Sequence, residues 1–187
     1  DDPTNLGLEE ISGTVAEICN VRLSPVERFG RAGVEIRGRC MFRLREPVKL
    51  AEEWTISVWA LTMRGFMARG YNVLMDGMTK ESFILVVLRR GRIGFYFQLG
   101  RGPPRESYVD VPQPLREGWH HIAAVGSDGH VSYYLDGALL GTLACPLMTG
   151  DLVHIGNSAN NHEAFGVISD FRAFGSAATP EQVQELA

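Results

Sequence analysis

Short segments of alternating or solid apolar character recur along the chain, and each closes on a turn signal. Over residues 55–61, Ile56, Val58 and Ala60 alternate with Thr55, Ser57 and Trp59, the period-two pattern of a strand with one buried face. Segments of the same kind fall at 34–44, 72–75, 83–89, 93–99, 108–111, 121–125, 130–135, 139–143, 152–155 and 165–174. A spacing of about 8–12 residues, with Gly, Asp or Asn between runs, predicts an all-β antiparallel sandwich.

Several turns carry a mechanism. Asp128-Gly129 and Asp136-Gly137 lie between apolar runs, where a type I′ hairpin needs positive φ at both central residues. Asp76-Gly77 and Arg90-Gly91-Arg92 read as turns of a similar kind. One helix is predicted, at 179–187. Thr179 is placed to cap it, Pro180 fits the first helical position and Gln182 falls three residues after the cap. Val183 and Leu186 would dock that helix on the sandwich. With no internal repeat, linker or low-complexity tract, residues 1–187 are expected to form a single domain.

Composition then excludes several classes of function. A net charge of −4 leaves no broad basic field for a phosphate backbone, so nucleic acid is not expected as a partner. The basic residues are almost all Arg, but they are scattered rather than clustered. The longest apolar runs, such as Phe83 to Leu88, are strand-length and far below the ~20 residues of a spanning helix. Cys19, Cys40 and Cys145 are widely spaced and form no CxxC or CxxH pair, which argues against zinc and against a dithiol redox site. They read either as one disulfide plus a free thiol or as three buried thiols. The chain opens Asp1-Asp2-Pro3 without Met, so a signal peptide, a transit peptide or the rest of a larger protein is expected upstream.

Catalytic constellations are missing from the pattern. A glycosidase needs two carboxylates about 5–10 Å apart across a sugar, and no E-x-D or E-x-x-x-E pairing falls on a predicted strand. Glu46, Glu52 and Glu53 sit at a segment boundary, and Glu181 and Glu185 lie on the terminal helix. There is no G-x-S-x-G motif. His120 and His121 are adjacent on a strand, so their rings point to opposite faces and cannot chelate one metal side by side. No catalytic residue and no metal ligand is therefore assigned.

Four pieces of the sequence share an order and a spacing with one known family. Glu117-Gly118-Trp119-His120-His121-Ile122-Ala123-Ala124-Val125, followed by Tyr134-Leu135-Asp136-Gly137 and Leu140-Gly141, resembles the central hairpin of laminin-G-like, concanavalin A-like domains. Trp54-Thr55-Ile56-Ser57-Val58-Trp59 resembles the family's upstream F-T-I-S-x-W strand, and Gly166-Val167-Ile168-Ser169-Asp170-Phe171-Arg172 its closing strand. The resemblance spans about residues 33 to 187. It implies an antiparallel jelly-roll sandwich of two curved sheets with a short C-terminal helix, in agreement with the strand reading. Many relatives hold a calcium ion, but the closing-strand acidic position is Ser169 here, and Ile36-Arg37-Gly38 stands where the family often has F-D-G. Calcium is therefore disfavoured, and no cofactor is expected.

The resemblance further implies a non-catalytic recognition module that binds a glycan or glycoprotein partner. The alternative is a structural or protein-interaction subunit of a larger assembly in which sugar binding has been lost. If Phe95, Phe97 and Leu99 face the core, Tyr96 and Gln98 face outward, and the same alternation sends Tyr134 outward. With Arg101, Asn160 and His162 on neighbouring polar loops, these residues make a candidate ligand site. Phe66 and Met67, apolar residues in a loop, are candidate protein contacts. The location is left open by the sequence, with an extracellular or cell-surface location favoured and an organelle lumen after transit-peptide removal as the alternative.

Overall fold

The computed structural model describes residues 16–19, 22–28, 31–36, 41–62, 72–77, 81–89, 91–99, 103, 105–112, 115–145, 150–157, 163–164 and 166–187. Its strands fall into two sheets. The eight-stranded sheet contains β1 (Ala16–Cys19), β4 (Met41–Leu50), β6 (Asn72–Gly77), β7 (Glu81–Arg89), β8 (Arg92–Leu99), β9 (Arg105–Asp110), β13 (Gly150–Ile155) and β14 (Glu163–Ala164). Its order is β1-β4-β13-β6-β7-β8-β9, with β14 added parallel to β6. The seven-stranded sheet contains β2 (Arg22–Arg28), β3 (Arg31–Glu35), β5 (Trp54–Thr62), β10 (Gly118–Ser127), β11 (His130–Leu135), β12 (Ala138–Ala144) and β15 (Val167–Phe174). Its order is β12-β11-β10-β5-β15-β3-β2. Every pair apart from β6–β14 is antiparallel.

The core fills the space between the sheets, as alternation requires. Ile56, Val58, Ala60, Ile122, Ala124, Val131 and Tyr133 come from one sheet and Phe42, Leu44, Met75, Ile93, Phe95 and Ile155 from the other. Trp54 is wholly buried beside Gly126, its partner across β5 and β10. A Cβ at Gly126 would overlap the Trp54 indole, so this strand position accepts no larger residue without repacking.

Both predicted Asp-Gly hairpins have the expected geometry. Asp128 and Gly129 have φ of 50° and 72°, and Asp136 and Gly137 have 50° and 77°. The C-terminal helix α1 (Pro180–Leu186) starts at a Thr179 cap, with a reciprocal bond between the Gln182 side chain and the cap backbone. Its Val183 is fully buried against Ala123, Val125 and Tyr134 on the outer face of the seven-stranded sheet. A valine buried this way contributes about 1.5 kcal/mol.

Two expectations are corrected. Residues 34–44 do not form one strand: β3 ends at Glu35 in one sheet, and β4 begins at Met41 in the other. Alternation runs on across the crossing because Val34, Ile36, Phe42 and Leu44 all feed the same core. Asp76-Gly77 is no turn either. It ends β6, buried, with Asp76 opposite Ile84 of β7 and His154 of β13.

Candidate functional site

The turn between β11 and β12, which lies against β10, explains the paired histidines. The Asp136 carboxylate accepts the backbone N–H of His121 at 2.9 Å through Oδ1, and its Oδ2 lies 2.7 Å from His120 Nδ1. His120 Nε2 donates to the Arg116 carbonyl at 2.8 Å. His120 therefore ties the Asp136-Gly137 turn to the segment that leads into β10. His121 points to the other side, where its Nε2 meets Ser57 Oγ at 2.7 Å and its ring tilts against Trp59, centroids 5.3 Å apart. The Ser57–His121 pair has the spacing of a nucleophile and its base. Both residues are buried, at 2% and 0% exposure.

The outward residues of the eight-stranded sheet differ. Tyr96 and Tyr108 are half-buried and pack on Val73, apart from the main core. In the β8–β9 register Tyr96 lies opposite Glu106, Gly94 opposite Tyr108, and Arg92 opposite Asp110, so these residues share one face. The Arg92 guanidinium sits 4.9 Å from the centre of the Tyr108 ring, and the Tyr108 hydroxyl donates to Glu106 Oε2 at 3.1 Å. Gly94 allows the close approach of β9, since a Cβ there would collide with the backbone of Ser107 and Tyr108. The result is a two-tyrosine platform with a cation at one end and the exposed carboxylates Glu106 and Asp110 along its edge.

Tyr96 and Tyr134 do not share a surface. Tyr96 is on β8 of the eight-stranded sheet and Tyr134 on β11 of the seven-stranded sheet. Tyr134 does point away from the core, but α1 covers it, leaving 5% exposed among Ala123, Val125 and Val183. Burial and the nearby Glu181 charge push its phenol above the usual range. Gln98 lies on β8 two residues beyond Tyr96, and its side chain is outside the described residues. Arg101, Asn160, His162, Phe66 and Met67 also lie outside them. Residue-by-residue alternation over 105–110 was the available signal for Glu106, Tyr108 and Asp110, which the sequence reading passed over.

A second polar group spans the same sheet farther along. Arg43, His154 and Asp76 stand in one row across β4, β13 and β6. His154 Nδ1 lies 3.9 Å from Asp76 Oδ2, and both side chains are buried. Burial, with the Arg43 charge adding, holds the His154 imidazole below its ordinary range. Cys145 is buried in the core without a disulfide. Among the described residues, no three His, Cys, Asp or Glu side chains come together as a metal-binding group, and no helix is long and apolar enough to cross a membrane.

The family model for the concanavalin A-like lectin/glucanases superfamily matches residues 42–184. Among solved structures, the botulinum neurotoxin serotype D binding domain superposes with a TM-score of 0.68 at 15% identity, covering 94% of this chain and 46% of that one. The binding domain of Paraclostridial Mosquitocidal Protein 1 gives a TM-score of 0.67 at 14% identity, covering 94% and 47%. The native heptameric SAP-like pentraxin from Limulus polyphemus gives 0.59 at 17%, covering 88% and 79%. The chain thus spans about half the length of these two binding domains. At these identities the likeness is one of fold. No curated protein matches the sequence.

Proposed function

The chain belongs to the concanavalin A-like lectin/glucanases superfamily, and on that premise we propose that it is a non-catalytic recognition module for a glycan or a glycoprotein partner. The observation that carries this reading is the outward face of β8 and β9. Tyr96 and Tyr108 there offer partly open rings on a rigid sheet, beside Arg92, Glu106 and Asp110. A pyranose presents an apolar face that stacks on such rings. Its hydroxyls would donate to Glu106 and Asp110 and accept from Arg92. Two of the structurally similar proteins are themselves binding domains, one of them of a neurotoxin, which agrees with this use of the fold.

The same face does not suit hydrolysis. Glu106 and Asp110 are the aligned carboxylates of β9, four residues apart along an extended strand. That is about 14 Å at 3.4 Å per residue, beyond the roughly 5–9.5 Å over which a glycosidase pair works.

The test is a panel of oligosaccharides against the wild-type protein, Tyr96→Ala and Tyr108→Ala. Binding by the wild type, weakened about tenfold in each variant, is expected from the loss of one stacking ring. A panel with no binder, or binders indifferent to both substitutions, would refute the proposal.

A further inference from the structure

The two carboxylates of the β8–β9 face stand in different company. Asp110 lies opposite Arg92 in the register, so a cation faces it, whereas Glu106 lies opposite Tyr96. Residues directly opposite in an antiparallel pair hold their Cβ atoms about 4.5–5.5 Å apart on one face. Glu106 is therefore the carboxylate at the edge of Tyr96. Asp110, four residues farther along the strand, is about 14 Å away at 3.4 Å per residue, too far to serve the same sugar ring.

Glu106 is exposed, and a long exposed side chain ordinarily spreads over many rotamers. Here the Tyr108 hydroxyl donates to its Oε2 at 3.1 Å. Tyr108 is itself held. It packs on the fully buried Val73, and the Arg92 guanidinium sits 4.9 Å from its ring centre. Opposite it, Gly94 brings no side chain to crowd the ring. A chain of contacts thus runs from guanidinium to ring, and from the ring's hydroxyl to the carboxylate. A carboxylate offers about four lone-pair sites on its two oxygens, so the bond from Tyr108 orients Glu106 without saturating it.

On a pyranose stacked face-on against an aromatic ring, equatorial hydroxyls radiate in the plane of the sugar and axial hydroxyls leave it. A carboxylate at the edge of the stack meets the equatorial ones. Two of them on neighbouring carbons stand side by side and donate together to one carboxylate, as the two N–H groups of a guanidinium fork do. We propose that the platform is specific for pyranoses with equatorial hydroxyls on neighbouring ring carbons, an assignment that rests on the recognition reading above and names its sugar class. Glu106 reads the hydroxyl pair, and Tyr108 is the positioning residue that aims Glu106. Tyr96 bears the sugar ring. Arg92 acts at one remove, by holding the Tyr108 ring.

The experiment is an NMR titration of the whole chain with two probes, methyl β-glucopyranoside and its 3-deoxy analogue. The C3 hydroxyl belongs to every neighbouring equatorial pair on the ring carbons of the glucoside, so the analogue keeps the stacking face and loses the pairs. Wild type, Glu106→Gln, Tyr108→Phe and Tyr96→Ala are compared. Glu106→Gln changes an exposed side chain and Tyr108→Phe removes a single oxygen, so both are expected to melt with the wild type. The wild type is expected to bind the glucoside about tenfold more tightly than the analogue, from the loss of hydrogen bonds to a charged acceptor. Glu106→Gln and Tyr108→Phe are each expected to bring that ratio below about threefold, while leaving the affinity for the analogue unchanged. A role for Tyr108 through its ring alone would leave the ratio at its wild-type value in Tyr108→Phe. Equal affinities for the two probes in the wild type, or a ratio that both variants preserve, overturn this assignment; if binding is still lost in Tyr96→Ala, the recognition reading stands without it. A wild type that binds neither probe overturns the assignment, and the oligosaccharide panel then decides the recognition reading separately.

Discussion

Asp136 is the sharpest place to perturb the hairpin that organises the seven-stranded sheet. Its carboxylate satisfies the backbone N–H of buried His121 and meets His120 Nδ1, and its backbone sits at a φ of 50°. Replacement by alanine strands the His121 N–H, at about 1–3 kcal/mol. The His120 contact adds less, about 0.5–1 kcal/mol, because the Asp136 side chain is 49% exposed. A residue with a Cβ and no polar side chain in the left-handed region costs about 1 kcal/mol more. Asp136→Ala is therefore expected to lose about 2.5–5 kcal/mol of stability. Asp136→Gly loses both side-chain bonds but relieves the backbone, for about 2–3 kcal/mol. Asp136→Asn keeps an acceptor and tolerates the turn, for about 1 kcal/mol. Urea unfolding followed by tryptophan fluorescence gives the three values from shifts in midpoint at a common slope. Equal losses in all three, or an alanine variant within about 0.5 kcal/mol of wild type, would refute the reasoning.

Two further outcomes follow from the eight-stranded sheet. Gly94→Ala forces a methyl group into the β9 backbone and is expected to cost about 1–3 kcal/mol, with faster hydrogen exchange over residues 105–110; unchanged exchange there would contradict the tight approach. His154 has a depressed pKa in the folded chain, against an ordinary value of 6.5, so the unfolded chain takes up the proton first. The stability it contributes is complete above about pH 6.5 and is lost as pH falls from there through the lower folded value, at no more than about 1.4 kcal/mol per pH unit. His154→Gln should flatten the wild-type decline in urea midpoint between about pH 7 and pH 5, and parallel declines would show that His154 is not its source.

The parts of the fold that sequence reading reached are those fixed by local chemistry. An Asp-Gly pair between apolar runs dictates its own backbone, and Thr179, Pro180 and Gln182 dictate a helix start, so both appear where expected. Decisions made at long range were not legible. Alternation placed Tyr134 on the outer face, but only the return of α1 across β10 and β11 decides that the ring is covered. The crossing between β3 and β4 leaves no mark in hydrophobic pattern because both strands bury side chains in one core. Asp76-Gly77 has turn composition, yet β13 and β7 on either side hold it extended. Alternation placed Tyr96 on the outer face, whereas its neighbours on β9 needed the strand register, which no single segment encodes.

The most direct test of the recognition account is an NMR titration of labelled protein with oligosaccharides, read at the amides of Arg92, Gly94, Tyr96, Glu106 and Tyr108. Saturable shifts centred on those residues, absent in Tyr96→Ala, are the predicted result. Shifts confined to the seven-stranded sheet, or none with any sugar at about 10 mM, a concentration that would reveal binding as weak as about 2.7 kcal/mol, would contradict it.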